Sequence, residues 1–157
     1  MNFDTVDAGR DRIACGAPVV SDEVGPQNVA VRLTPMGRFM GMGDETPEAT
    51  FGYIVRNLND YGLAYLHLVE PAMVGTVKDE NFDPRWDAII KLLRDEYKGV
   101  LMIAGGYDCE TAEKAIASGR ADIVAFGRPF ITNPDSQARF RDGTPAECRR
   151  QRQLLRR

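Results

Sequence analysis

Two pairs of adjacent residues that contain glycine follow apolar, strand-like runs late in the chain, and we call them the first and second glycine steps. Both have the chemistry of an anion site. Gly105 and Gly106 follow VLMIA, and Gly127 and Arg128 follow DIVAF. Glycine N–H groups can approach an anion closely and add to the field of a helix N-terminus, and a guanidinium can fork onto phosphate oxygens. Taken together, the two steps predict a phosphate site. Taken singly, each has an alternative: a tight βα turn for the glycine pair, and a surface arginine that caps a helix end for Arg128.

Three polar residues lie in or at the end of apolar runs. Arg32 interrupts NVAVRL near its end, and an arginine there needs a partner because burying it unpaired is costly. It could hold an anionic heterocycle or carboxylate, or pair with Glu70 across strands. Glu70 could itself orient a ligand or cap a loop. His67, the only histidine, lies in AYLHLVE on the same face as Tyr65 and Val69, where a satisfied core residue is favoured over a general base.

The elements that must position these residues alternate between strands and helices. We predict strands over residues 28–33, 64–70, 100–106 and 122–127, separated by helices that begin near residues 46, 84 and 109. Thr46 and Pro47 provide an N-cap and a first helical position, and a short helix should follow Asn133, Pro134 and Asp135. Strands that are apolar on both faces and alternate with helices indicate an α/β fold with a parallel sheet.

Two α/β architectures compete for this pattern. A dinucleotide-binding sheet would usually carry GxGxxG between its first strand and helix, and no such motif follows residue 33. A (β/α)8 barrel places its chemistry in the loops after the strands and binds phosphate at the last two of them. Here those two loops are AGGY and FGRPF. The sequence therefore predicts a partial, half TIM (β/α)8 barrel with four parallel strands.

Composition excludes several classes of protein. The chain has 157 residues, 43% hydrophobic content and a net charge of -3, which is normal for one globular domain and argues against a nucleic-acid binder. No apolar run approaches membrane-spanning length and the N-terminus does not read as a signal peptide, so we expect a cytoplasmic protein without membrane contact. Three scattered cysteines predict free thiols and no metal site. A helix start at Cys109 could lower its pKa, although a plain small residue near a turn is favoured.

With these motifs in view, the chain resembles the old yellow enzyme family of FMN-dependent ene-reductases and NAD(P)H:flavin oxidoreductases. The resemblance runs from about Asn28 to Arg141 and rests on VRLTPMG, PEATFGYIV, AYLHLVEP, AGGY and GRADIVAFGRPFITNPD. It implies a barrel with FMN at the carboxyl ends of the strands.

Each matching position implies a role. Arg32 is similar to the arginine that contacts the polar edge of the flavin and steadies its anionic reduced form. Gly105, Gly106, Gly127 and Arg128 resemble the FMN phosphate cradle. Ala72 and Met73 are similar to the loop that lines the substrate side.

The chain also departs from the family pattern. The first four strands of the barrel are absent, and with them the residues near the flavin, the His-Asn or His-His pair that binds the substrate carbonyl, and the tyrosine proton donor. No catalytic residue is therefore assigned. We expect residues 1–27 to be irregular with a possible remnant helix in VVSDEVGPQ, residues 28–142 to form the C-terminal half-barrel, and residues 143–157 to form a basic tail with five arginines.

The resemblance implies an oxidoreductase that passes hydride from NADPH or NADH through FMN to an activated alkene such as an enone. The chain would then be truncated and would need the missing half for activity. The alternative is a non-catalytic half-barrel that binds FMN or phosphate, or an assembly partner that associates with itself through open sheet edges.

Overall fold

The computed structural model describes residues 16–37, 43–70, 73–74, 77–78 and 85–144. The chain divides into two compact units, residues 1–124 and residues 125–157. The described elements of the first unit are α1 (16–24), β1 (Ala30–Leu33), α2 (Pro47–Leu58), β2 (Tyr65–Val69), β3 (Met73–Val74), β4 (Val77–Lys78), α3 (Trp86–Glu96), β5 (Leu101–Ala104), α4 (Cys109–Ala117) and β6 (Ile123–Val124).

The first unit is built on a parallel sheet. Within the described residues the sheet has four strands in the order β1-β2-β5-β6, and each of them is parallel to its neighbour. One row of the register runs from Arg32 through His67 and Met102 to Ile123. Because the strands are parallel and in register, the residues that follow them meet at one edge of the sheet.

One face of the sheet is closed by helices. The side chains of Leu33, Leu66, Leu68, Leu101 and Ile103 are buried on this face. They belong to one core cluster with apolar residues of α2 and α3, which pack on each other: Ile54, Val55, Leu58, Trp86, Ile89, Ile90 and Leu93. Burial of this cluster is the main favourable term in the stability of the unit.

The opposite face of the sheet is covered less completely, and we call it the open face. Tyr65, His67, Val69 and Met102 are half-buried there, and Arg32 is exposed. The strict alternation of buried and half-buried residues along β2 confirms the predicted common face of Tyr65, His67 and Val69.

Local sequence sets the helix boundaries as predicted. Thr46 is the N-cap of α2 and Pro47 is its first residue, where the missing N–H of proline costs nothing. The chain leaves that region through Gly62, whose φ of 60° lies in the left-handed region that glycine adopts without strain. Asp108 caps α4 by accepting a hydrogen bond from the Thr111 N–H in a reciprocal capping box, which satisfies N–H groups that the helix leaves unpaired.

The structure differs from the predicted elements at three places. β6 has two residues, Ile123–Val124, where a strand over 122–127 was expected. Met73 was expected to lie in a loop, but it belongs to β3, which forms a small antiparallel pair with β4. Residues 16–24 are helical, which places the helix slightly ahead of the expected remnant. The expectations for residues 1–15 and 145–157, including most of the basic tail, lie outside the described residues.

The second unit contains two short helices, α5 (Arg128–Thr132) and α6 (Ser136–Arg141). The second one was predicted and the first was not. Pro129 lies in the first turn of α5, a position that proline favours. The rings of Phe126 and Phe140 pack with centroids 5.0 Å apart. Across the described part of both units, no helix is long and apolar enough to cross a membrane.

Candidate anion-binding site

Arg32 is the cation of the open face. It is exposed near the carboxyl end of β1, beside His67 of β2 in the register. In the part of the chain that the structure describes, no carboxylate pairs with its guanidinium. An exposed arginine without a partner carboxylate can bind a planar anion through its forked N–H groups.

His67 lies next to this cation. Burial, and secondly the charge of Arg32, lower the pKa of its imidazole below 6.5, so the ring is neutral at pH 7. Its Nε2 is buried and has no hydrogen-bond partner among the described residues. The prediction of a satisfied core histidine is thus wrong for this nitrogen, because no described residue of the open face places a donor or acceptor against it.

The first glycine step follows β5 directly. Gly106 has a φ of 84°, which a residue with a side chain rarely adopts, and α4 begins three residues later at Cys109. Gly105 is required for a second reason: a Cβ at that position would lie 2.6 Å from the Cβ of Glu70. Both glycines therefore hold conformations or contacts that their replacement would disturb.

Glu70 approaches this loop from the end of β2. Its carboxylate is buried, and Oε1 accepts hydrogen bonds from the Tyr107 hydroxyl at 2.8 Å and from Arg120 Nε and Nη2 at 3.1 and 3.0 Å. Arg120 Nη2 also lies 2.9 Å from Asp87 Oδ1. The alternative in which Glu70 pairs with Arg32 is wrong. The partner is Arg120, so among the described residues Arg32 has no carboxylate partner on the open face.

The second glycine step lies in the second unit. Gly127 precedes α5 with a φ of -95°, and a Cβ there would meet no atom within 4 Å. Gly127 therefore needs no special conformation or close contact in this unit. Arg128 is the first residue of α5, so it lies at the start of a helix.

The remaining expected positions contribute less. Ala72 lies outside the described residues, and Met73 is the first residue of β3. The less favoured alternative, in which a helix start lowers the pKa of Cys109, is wrong: desolvation and the Glu113 carboxylate raise the pKa of the thiol. Cys15 and Cys148 lie outside the described residues.

Tyr107 and Arg120 are the residues of this region that the sequence reasoning missed. One signal was available. A glutamate that ends an apolar strand needs a buried partner, and AGGY supplies a hydroxyl two residues after Gly105. Arg120 could not be identified in this way, because it lies 50 residues from Glu70 along the chain.

The donors present suit an anionic, phosphate-bearing heterocycle. Arg32 supplies an exposed cation on the open face, and Gly106 presents backbone in the left-handed region next to a capped helix. These are the groups that a flavin nucleotide would use, since its ring has a polar, anion-forming edge and its tail ends in phosphate. The residues of the first unit therefore fit FMN.

The sequence of the chain matches that of a known protein family. A sequence model of the NADH:flavin oxidoreductase / NADH oxidase family matches residues 18–147. The chain belongs to this family. The 12-oxophytodienoate reductase 2 of Arabidopsis thaliana is 39% identical over 128 residues, which are 80% of this chain and 33% of the relative.

Solved structures agree in fold. Morphinone reductase in complex with tetrahydroNAD superposes with a TM-score of 0.71 at 37% identity, over 83% of this chain and 33% of that protein. The old yellow enzyme homologue from Zymomonas mobilis gives a TM-score of 0.80 at 32% identity, over 90% of this chain and 39% of that one. The predicted fold class, four β/α units of a TIM barrel, is confirmed. The chain spans about a third of the length of these relatives.

Proposed function

We propose that this chain is the FMN-binding part of an oxidoreductase of the ene-reductase type. The observation that carries the proposal is Arg32, an exposed guanidinium on the open face with no carboxylate partner in the described chain. Membership of the NADH:flavin oxidoreductase family supplies the context. When bound, FMN would supply hydride transfer from NADPH or NADH to an activated alkene such as an enone.

The chain's own residues would bind and orient the cofactor. We assign Arg32 to the polar edge of the flavin, where a fixed positive charge favours an anionic ring. Gly105, Gly106, Gly127 and Arg128 are assigned to the phosphate, to which the glycines would donate N–H groups and the arginine a forked pair. Ala72 and Met73 would line the substrate side.

Catalysis would need groups that we do not assign to any described residue. No residue of the chain is assigned to the substrate carbonyl or to protonation of the product. We therefore propose that activity depends on a complementary part of the barrel, and that the chain acts in the cytoplasm, where NADPH and NADH are available.

Flavin binding tests the proposal directly. Purified chain is titrated with FMN and with riboflavin, which lacks the phosphate, and binding is followed by quenching of flavin fluorescence. Arg128→Ala should weaken FMN binding about tenfold or more, as expected for loss of a charge-assisted pair of hydrogen bonds, and should leave riboflavin binding unchanged. Arg32→Ala should weaken both flavins, because it acts on the ring.

Arg141→Ala provides the matched control, since Arg141 is an exposed arginine of the same unit as Arg128. Equal FMN affinity for Arg128→Ala and Arg141→Ala would refute the phosphate assignment. A chain that binds neither flavin would refute the proposed function. Oxidation of NADPH by the flavin-loaded chain with an enone then separates an active enzyme from a binding module.

A second candidate function, a non-catalytic assembly partner, is favoured by the sheet itself. β1 and β6 are the outer strands of the four-stranded sheet, and each pairs with a single neighbour in the described residues. The half-buried open face includes Val69 and Met102. Two copies related by a two-fold axis along the strands would keep all strands parallel and join β6 of each copy to β1 of the other. A sharp monomer in sedimentation at high protein concentration would contradict this candidate.

A further inference from the structure

We propose that Glu70 is a positioning residue for the phosphate: it braces the Gly105–Gly106 loop through the Tyr107 hydroxyl and the backbone of Ala104. The inference rests on the proposed function, because it names what holds the phosphate loop of that site. Tyr107 and Arg120 are the partners of Glu70 in this brace.

The brace acts on both ends of the loop. On one side, the Glu70 N–H donates to the carbonyl oxygen of Ala104 at 2.7 Å, the residue just before Gly105. On the other side, the Glu70 carboxylate accepts from the hydroxyl of Tyr107 at 2.8 Å, the residue just after Gly106. The two glycines are thus spanned by a single residue, Glu70, which directly follows the neighbouring strand β2.

Glu70 also lies in close contact with Gly105. A Cβ at position 105 would lie 2.6 Å from the Cβ of Glu70 and 3.3 Å from its Cγ. The glycine backbone therefore lies directly against the stem of the glutamate. A loop of two glycines has many accessible backbone conformations, and contacts of this kind select one of them before a ligand binds.

Arg120 offsets the negative charge that Glu70 places beside the proposed anion site. Its guanidinium forms two hydrogen bonds with Glu70 Oε1, so that the negative charge of Glu70 is offset within the pair. Burial, followed by the Glu70 carboxylate, raises the pKa of Tyr107, which keeps the hydroxyl protonated as a donor. The arrangement holds the loop with the buried Glu70 charge paired, and the second carboxylate at Arg120, Asp87, is 75% exposed and faces solvent.

Tyr107→Phe is the decisive variant. Glu70→Ala would leave both the Tyr107 hydroxyl and the Arg120 guanidinium without their carboxylate, and it could fail to fold for that reason. Tyr107→Phe removes one oxygen and keeps the ring. We expect its FMN affinity to fall about threefold to tenfold, the effect of one lost hydrogen bond, with riboflavin affinity unchanged.

The matched control is Tyr61→Phe. Like Tyr107, Tyr61 is partly buried. It lies before β2, at the opposite end of the strand from Glu70, so loss of its hydroxyl should not affect the brace. Backbone 15N relaxation provides a readout that needs no flavin. Order parameters at Gly105 and Gly106 should fall in Tyr107→Phe from the range of rigid backbone, about 0.85, towards the flexible range below about 0.6, and they should not change in Tyr61→Phe.

The outcomes separate this inference from the proposed function. Selective loss of FMN affinity together with looser glycines supports the brace. Equal FMN affinity in the two tyrosine variants, or equal losses for FMN and riboflavin in Tyr107→Phe, overturns it. If the unmodified chain binds neither flavin, the proposed function fails, and the 15N order parameters of Tyr107→Phe then test the brace alone. Unchanged values at Gly105 and Gly106 overturn the brace, and reduced values support it.

Discussion

Replacement of Arg120 by methionine tests the ion pair that joins β2 to the segment before β6. Methionine keeps an unbranched apolar side chain of similar reach and removes the guanidinium. Glu70 Oε1 would keep only the hydrogen bond from Tyr107 and lose both bonds from Arg120. The carboxylate would then be a buried charge without a cation.

The size of the effect follows from the exposure of the two partners. Breaking a fully buried pair costs about 3–5 kcal/mol. The Glu70 side chain is 10% exposed but that of Arg120 is 27% exposed, so water can reach part of the vacated site and the cost should be about 2–3 kcal/mol. Asp87, at 75% exposed, adds little because an exposed pair contributes about 0–1 kcal/mol.

Urea unfolding measures this cost through the chain's own fluorophore. Trp86 is the only tryptophan and is 2% exposed, so its emission should change when the core opens. Arg56→Met provides the control, because Arg56 forms an ion pair with Glu96 and its side chain is 54% exposed. That variant should lose less than about 1 kcal/mol.

A double-mutant cycle with Glu70→Gln isolates the charge pair. Glutamine keeps an acceptor oxygen and removes the negative charge, so Arg120→Met should cost clearly less in that background. The reasoning fails if Arg120→Met is no more destabilising than Arg56→Met. It also fails if the cost of Arg120→Met is the same with glutamate and with glutamine at position 70.

Two further predictions concern Gly105 and His67. Gly105→Ala should destabilise the chain by about 1–3 kcal/mol, because its Cβ would overlap the stem of Glu70; urea unfolding checks this, and Gly127→Ala, with no atom within 4 Å of the new Cβ, should cost much less. The NMR titration midpoint of His67, the only histidine, should lie below pH 6.5, since burial and then Arg32 lower its pKa. In Arg32→Ala the midpoint should move to higher pH. Between pH 6.5 and the lower pKa of folded His67, the unfolded chain binds more protons than the folded one, so the free energy of unfolding should decrease as the pH falls through this window. A His67 titration midpoint at or above pH 6.5 would show that the fold does not lower its pKa.

Local patterns predicted the elements of the fold well. Apolar runs separated by about 20 to 35 residues were sufficient to place β1, β2 and β5, and Thr46 with Pro47 placed the start of α2. β6 was predicted too long. The pattern of DIVAFG continues beyond Val124, but the second unit begins at residue 125.

The candidate site was predicted less completely than the fold. Arg32 and Gly105 were proposed from the sequence because an arginine in an apolar run and a glycine after a strand are unusual in themselves. The alternative that paired Glu70 with Arg32 was wrong, and the true partner was not foreseen because alternation relates only neighbouring strands. Arg120 lies outside any strand, in the segment before β6, and only the packed structure brings it to the end of β2.

The strand order of the sheet bears on how the chain can fold during synthesis. Ala30 pairs with Tyr65, Leu66 with Leu101 and Met102 with Ile123, so each new strand pairs with the sheet strand made just before it. Pairing partners are never more than about 35 residues apart, and such short separations favour rapid folding. As the chain is made from its N-terminus, each new β/α unit meets a surface that is already present, and the sheet can grow in one direction while the ribosome is still adding residues.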